Sequence, residues 1–198
     1  MNNYYLRIVQ DAFARLFVLA VKQKMNLLAI TINLENSEYV KLIEKGDYTS
    51  IANKDIKDIY QSIFGVALDK DDSAYTYNDA YWSGYSYFQL HLRTNKSFAY
   101  LFLKLPLARM LDMYPVYHEM DITQLEEEFH RLEKEKTILR SLCENGCISL
   151  SKLSDKTSIS QSTLAKYNKD DEYLYNASFQ NVIAIADYFN CPISLFKE

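Results

Sequence analysis

Along most of this chain, apolar residues recur at intervals of three and four, the period of a helix with one buried face. In residues 3–23, Tyr4, Ile8, Phe13, Leu16, Phe17, Ala20 and Val21 form a broad stripe, which predicts a core-facing helix. Residues 25–34 are ambiguous. Their Ile30-Thr31-Ile32-Asn33-Leu34 run alternates like a strand, yet no partner strand is evident. Residues 36–45 predict a short helix closed by Gly46. Residues 53–64 predict another, with Ile56, Ile59, Tyr60 and Ile63 on one side and Gly65 at its end. Residues 67–75 predict a polar loop. In residues 77–92, helical spacing puts Tyr77, Tyr81, Tyr85, Phe88 and Leu92 on one stripe, with Trp82 beside it. An apolar segment at 98–103 follows Ser97 and is interrupted by Pro106, and Pro115 falls within 113–120. From Asp121 the pattern predicts one long helix to Gly146, carrying Ile122, Leu125, Phe129, Leu132, Leu139 and Cys143, with Lys136 breaking the row. Asp121 and Gln124 fit a capping box at its start.

The last fifty residues carry the clearest signal. Ser149, Ser160 and Ser178 each precede an apolar-periodic segment, as helix N-caps do. Leu150 and Leu153 follow the first, Leu164 the second, and Phe179, Val182, Ile183, Ala186 and Phe189 the third. Only Thr157-Ser158-Ile159 separates the first two helices. So short a turn sets them at a steep angle, letting the second project into a DNA major groove.

At Leu153-Ser154-Asp155-Lys156, Ile159-Ser160-Gln161-Ser162-Thr163-Leu164, residues 182–189 and Pro192-Ile193-Ser194-Leu195-Phe196, the chain resembles the lambda-repressor/Cro-like (XRE) helix-turn-helix family. The resemblance covers about a third of the chain. It departs at Leu150, where the family often has Gln, at Ser158, where turn glycines are common, and at Asp170-Asp171-Glu172, where basic residues or glycine are frequent. The resemblance implies double-stranded DNA as a partner and a bacterial or phage-like setting. It puts Gln161, Ser162 and Thr163 on the first turn of a recognition helix, Lys166 and Lys169 on the next turns, and Ser151 and Lys152 on the preceding helix. Gln pairs both edges of adenine, and lysines hold phosphates. The carboxylates at 170–172 are expected to face the DNA backbone and weaken binding. Five lysines (152, 156, 166, 169, 197) against six acids (155, 170, 171, 172, 187, 198) leave residues 149–198 about −1.

Composition narrows the remaining classes. The 198 residues are 48% hydrophobic, ample for a core, and a net charge of −4 argues against a generic polyanion binder. Four glycines and three prolines are too few for a turn-rich sandwich or barrel. Cys143, Cys147 and Cys191 have no zinc spacing and are expected as buried small side chains in a reducing cytoplasm. The apolar run at 12–21 is interrupted by Arg15 and is too short to span a membrane. His118-Glu119 lacks the second histidine of a zinc-protease motif, since position 122 is Ile. No metal, cofactor or catalytic group is expected, and the chain is not expected to be an enzyme.

The expected fold is all-α. A helical domain over 1–130, serving dimerisation, signal or partner binding, precedes a helix-turn-helix DNA-binding domain over 131–198. The expected function is a sequence-specific transcriptional regulator acting as a homodimer, with the seam from Ile122 to Cys143 and the stripe from Tyr77 to Phe88 as contact faces. The alternative is a protein-interaction factor, an antitoxin or counter-defence protein, that grips its target through Tyr77, Tyr81, Trp82 and Tyr85 and keeps the helix-turn-helix for autoregulation or dimerisation.

Overall fold

The structure, a computed structural model, describes residues 3–66 and 77–197, with the Asn3, Tyr77 and Lys197 side chains excepted. The loop expected at 67–75 and the Tyr77 side chain therefore lie outside the described residues. Among the described residues the chain is all-α, with thirteen α-helices, one 3-10 turn and no strand. None of these helices is long and apolar enough to cross a membrane.

Helix α1 (Asn3–Lys22) pairs most extensively with α5 (Tyr77–Thr94). The other helices of this half are α2 (Leu27–Asn36), α3 (Glu38–Glu44), α4 (Ile56–Phe64), α6 (Phe98–Lys104) and α7 (Leu107–Tyr117). The ambiguous 25–34 segment is helical because Asn26 caps it, its side chain accepting from Leu28 N at 3.0 Å and Ala29 N at 3.2 Å. Ser37, Asp55 and Ser97 cap α3, α4 and α6 in the same way. Phe13, Phe17, Tyr87, Phe88, Phe98 and Phe102 make an aromatic centre, with Phe13 and Phe98 rings 4.7 Å apart and Tyr87 edge-on to Phe102 at 4.8 Å. The Tyr87 hydroxyl is buried and donates to Leu105 O.

The aromatic stripe expected on α5 is split by the packing: Phe88 is fully buried, but the stripe's other described members are not. Tyr85 is 40% exposed and Leu92 is exposed, while Ala80, Ser83, Gly84, Ser86, Tyr87, Phe88 and Leu90 turn inward. The reason is the approach of α1. A Cβ on Gly84 would lie 2.7 Å from Phe17 Cδ2 and 2.8 Å from Ala14 Cα, so the small-residue side of α5 must face α1. That rotation leaves Tyr81 half-buried, donating to Asp11 Oδ1 at 2.8 Å, and Trp82 half-buried, edge-on to Tyr114 at 5.8 Å.

The single helix expected from Asp121 to Gly146 is two helices, α8 (Ile122–Glu133) and α9 (Ile138–Asn145). Asp121 caps α8 by accepting from Thr123 N at 2.9 Å. The chain breaks at Lys136, where the apolar row also broke, and Thr137 caps α9 by accepting from Arg140 N at 3.2 Å. The seam is spent inside the chain. Leu125, Phe129, Leu132 and Leu139 are buried in the same core as the α1–α5 aromatics, which leaves that seam no face for a second copy.

Helices α10 (Leu150–Thr157), α11 (Gln161–Lys169), α12 (Asp171–Tyr175) and α13 (Phe179–Phe189) follow, closed by a 3-10 turn (Ile193–Lys197). The inward residues of α13 are Val182, Ile185 and Ala186. Phe179, expected in that row, is 65% exposed, because side chains lean toward the helix start and Phe179 is the first residue after the Ser178 cap. Only Cys143 is a buried thiol; Cys191 is partly buried, and Cys147 sits exposed in the turn after α9 with φ +52°.

The α1–α5 crossing yields a stability prediction. Gly84→Ala is expected to cost about 1–3 kcal/mol, since the methyl meets backbone as well as a ring. A denaturant melt of the variant with an unchanged midpoint would contradict the crossing.

Candidate nucleic-acid interface

Ser149 opens α10 by accepting from Lys152 N at 3.2 Å, and Leu153 points into the core. Helix α10 stops at Ser158, which takes the left-handed conformation at φ +59°. An L-residue there costs roughly 1–2 kcal/mol, so neighbouring contacts must hold it. They do: Ser154 Oγ donates to Ile159 O at 2.6 Å, Thr157 Oγ1 donates to Leu153 O at 2.7 Å, and Ile159 is buried. Ser160 then caps α11, its hydroxyl accepting from Thr163 N at 3.2 Å and lying 2.8 Å from Thr163 Oγ1. Leu164 and Tyr167 are the buried side of α11, and Asn181 Nδ2 of α13 donates to the Tyr167 hydroxyl at 3.0 Å.

The outward side gathers most of the expected residues. Ser151, Lys152, Gln161, Ser162, Lys166 and Lys169 are all exposed. Gln161 Nε2 donates to Ser151 Oγ at 3.1 Å, tying the first turns of α10 and α11 together. One amide hydrogen and Oε1 of Gln161 stay available, the pair that reads adenine. Thr163 is half-buried and its hydroxyl is engaged by Ser160. None of Lys152, Lys166 and Lys169 is paired with a carboxylate among the described residues.

Of the acidic run at 170–172, Asp170 and Glu172 stay exposed and only Asp171 is drawn into the protein. Asp170 is a cap, its carboxylate accepting from Glu172 N at 2.9 Å. Asp171 turns inward: Oδ1 accepts from Ile138 N at 2.7 Å, and Oδ2 lies 3.7 Å from Lys104 Nζ. The Lys104 side chain is 1% exposed. Its ammonium also donates to Glu133 O at 3.3 Å and to Lys136 O, and sits 5.5 Å from the centre of the Tyr100 ring. Burial pushes the Lys104 ammonium below its ordinary range and the Asp171 carboxyl above its own. Neither residue's role was visible in the sequence, because the partners are 67 and 33 positions apart, Asp171 from Lys104 and Ile138.

The expected partner-binding aromatics separate. Tyr85 is exposed and stacks on half-buried Tyr81 at 6.5 Å, while Trp82 packs on α7. Among the described residues, no three His, Cys, Asp or Glu side chains gather as metal ligands. No family model, curated protein or solved structure matches this chain.

Asp171→Asn is expected to destabilise the protein by about 1–3 kcal/mol, because the bond to Ile138 N loses its charge assistance and the buried Lys104 ammonium loses its anionic partner. Thermal melts of wild type and variant check it, and an unchanged melt would show that Lys104 needs no anionic partner.

Proposed function

We propose that this chain is a sequence-specific DNA-binding regulator whose C-terminal helices work as a helix-turn-helix, with α11 as the recognition helix. One observation carries the reading: the first turn of α11 presents Gln161, held by Ser151, between lysines that have no protein partner among the described residues. A side chain fixed before binding loses little freedom on reading a base. Lys152, Lys166 and Lys169 serve as phosphate anchors, and Ser162 borders the same groove.

The regulator works as a pair of copies, since one such helix covers only a few base pairs and half-sites lie one helical turn apart. With the α8–α9 seam consumed internally, the large exposed side chains left beside α11 are Tyr173, Tyr175 and Phe179. These aromatics form the contact for the second copy. Phe179→Asp is expected to shift the mass seen by light scattering from a dimer to about 23 kDa; a wild type already at that mass across micromolar concentrations rules the pairing out.

DNA binding itself is tested by titrating the region upstream of the gene against scrambled DNA at two salt concentrations. Three lysines per copy predict a shallow slope of about −2.7 per copy in log affinity against log salt. Lys166→Ala should weaken both DNAs alike, whereas Gln161→Ala should erode preference by about 1–3 kcal/mol. Asp170→Asn keeps a competent cap while removing a charge, so it should tighten binding to both. If wild type shows no preference and Gln161→Ala changes nothing, the regulator reading fails. A stoichiometric protein captured through Tyr85 would then favour the interaction-factor alternative, an antitoxin or counter-defence protein.

A further inference from the structure

Between α2, α6, α9 and the end of α13 lies a cavity of about 140 Å3. Ile32, Phe102, Leu103, Leu142, Phe189 and Leu195 make its apolar wall. One carboxylate, Glu35 of α2, is part of that lining, and no lysine, arginine or histidine is. Glu35 has no hydrogen bond or ion pair among the described residues. The volume is close to that of an engineered apolar cavity of about 150 Å3 that takes up benzene. The space therefore suits one small ring or a short branched chain.

The charge of the occupant follows from the surroundings of Glu35. Glu44 on α3 is the charged group that acts on it, and it adds a second negative field. Cys191, beyond α13, also lines the cavity, and burial pushes its thiol up to about 12, so it is neutral at pH 7. An anion would meet the negative field of Glu44 at pH 7, and that of Glu35 as well once it ionises. A cation would supply the counter-charge that the protein leaves out, while its apolar body displaces water from the wall.

We propose that this cavity is a binding site for a small organic amine, its apolar body in the pocket and its ammonium paired with Glu35. The proposal does not depend on DNA binding. Burial, reinforced by Glu44, raises the empty-site Glu35 carboxyl to about 8, so at pH 7 it is mostly protonated. An ammonium must therefore displace a proton when it binds, and a neutral ligand need not.

The test is calorimetric titration of the full chain at pH 7 with benzylamine and with its neutral analogue benzyl alcohol. Wild type should bind benzylamine at least tenfold more tightly, releasing close to one proton, read from two buffers of different ionisation heat. In Glu35→Gln the two probes should bind equally and the proton release should vanish. The variant is expected to fold. Because the folded-state pKa lies above the ordinary value of 4.5, the native protein binds that proton more tightly than the unfolded chain. Wild-type stability should therefore fall as pH rises from about 4.5 to about 8, and Glu35→Gln should remove that fall. Equal affinity of wild type for the two probes overturns the proposal. So does benzylamine binding that survives in Glu35→Gln, or the lack of saturable heat with benzylamine at millimolar concentration.

Discussion

A single buried ammonium holds the two halves of this chain in register. Lys104 ends α6 and reaches the last carbonyl of α8, Glu133 O, and Lys136 O in the turn that follows. Glu133 O is among the groups a helix leaves unpaired at its C-terminus, where a positive charge is also favoured by the helix dipole. Helix α8 ends at Glu133, closed by Lys134 N and Glu135 N donating to Leu132 O. Thr137 then opens α9, and Asp171 satisfies the N–H of Ile138 in the first turn. Thr137 Oγ1 also donates to Asn168 O at 3.1 Å, near the end of α11. The break between α8 and α9 is thus gripped from one side by α6 and from the other by the α11–α12 corner.

That joint sets where α11 can stand. Its C-terminal end is fixed to α9 by Thr137 and Asp171, its flank to α13 by the Asn181–Tyr167 bond, and its start to α10 by Gln161 and Ser151. Burying Lys104 and Asp171 is expensive, and the opposing directions of their pKa shifts show that desolvation outweighs their mutual attraction. The arrangement persists because the ammonium has two carbonyls and the Tyr100 ring besides the carboxylate. Its contribution is to placement more than to net stability.

The helical class was legible in the sequence because caps and apolar spacing are local. Ser37, Ser97, Ser149, Ser160 and Ser178 all cap the helices they precede. What local pattern misread was rotation and interruption. On α5 the spacing put Tyr81, Tyr85 and Phe88 on one stripe, but the backbone contact at Gly84 turns the helix so that Phe88 is buried and Tyr85 exposed. From Ile122 to Cys143 the spacing ran almost unbroken, while the helix is interrupted over 134–137, where Lys104, distant in sequence, bonds Lys136 O. The outward residues of α10 and α11 were legible for the same reason as the caps: with Leu153, Ile159 and Leu164 buried, helical spacing turns Ser151, Lys152, Gln161, Ser162, Lys166 and Lys169 outward. The Glu35 cavity was not, because its wall is drawn from four helices and only folding assembles it.

The same reasoning changes what net charge means for the C-terminal helices. A sum near −1 treats every carboxylate as facing the partner, yet Asp171 is turned into the core. Asp170 is bound to its own helix start, while Lys152, Lys166 and Lys169 stay exposed. Phosphate affinity depends on the charges that reach the backbone, and repulsion falls away within about a Debye length of roughly 8 Å at physiological salt. A surface with few anchoring lysines gives weak non-specific binding. Under that condition the difference between a correct and an incorrect site rests on the base contact itself. On the proposed DNA-binding reading, the fixed Gln161 amide is therefore worth more as a discriminator than the three exposed lysines are as anchors.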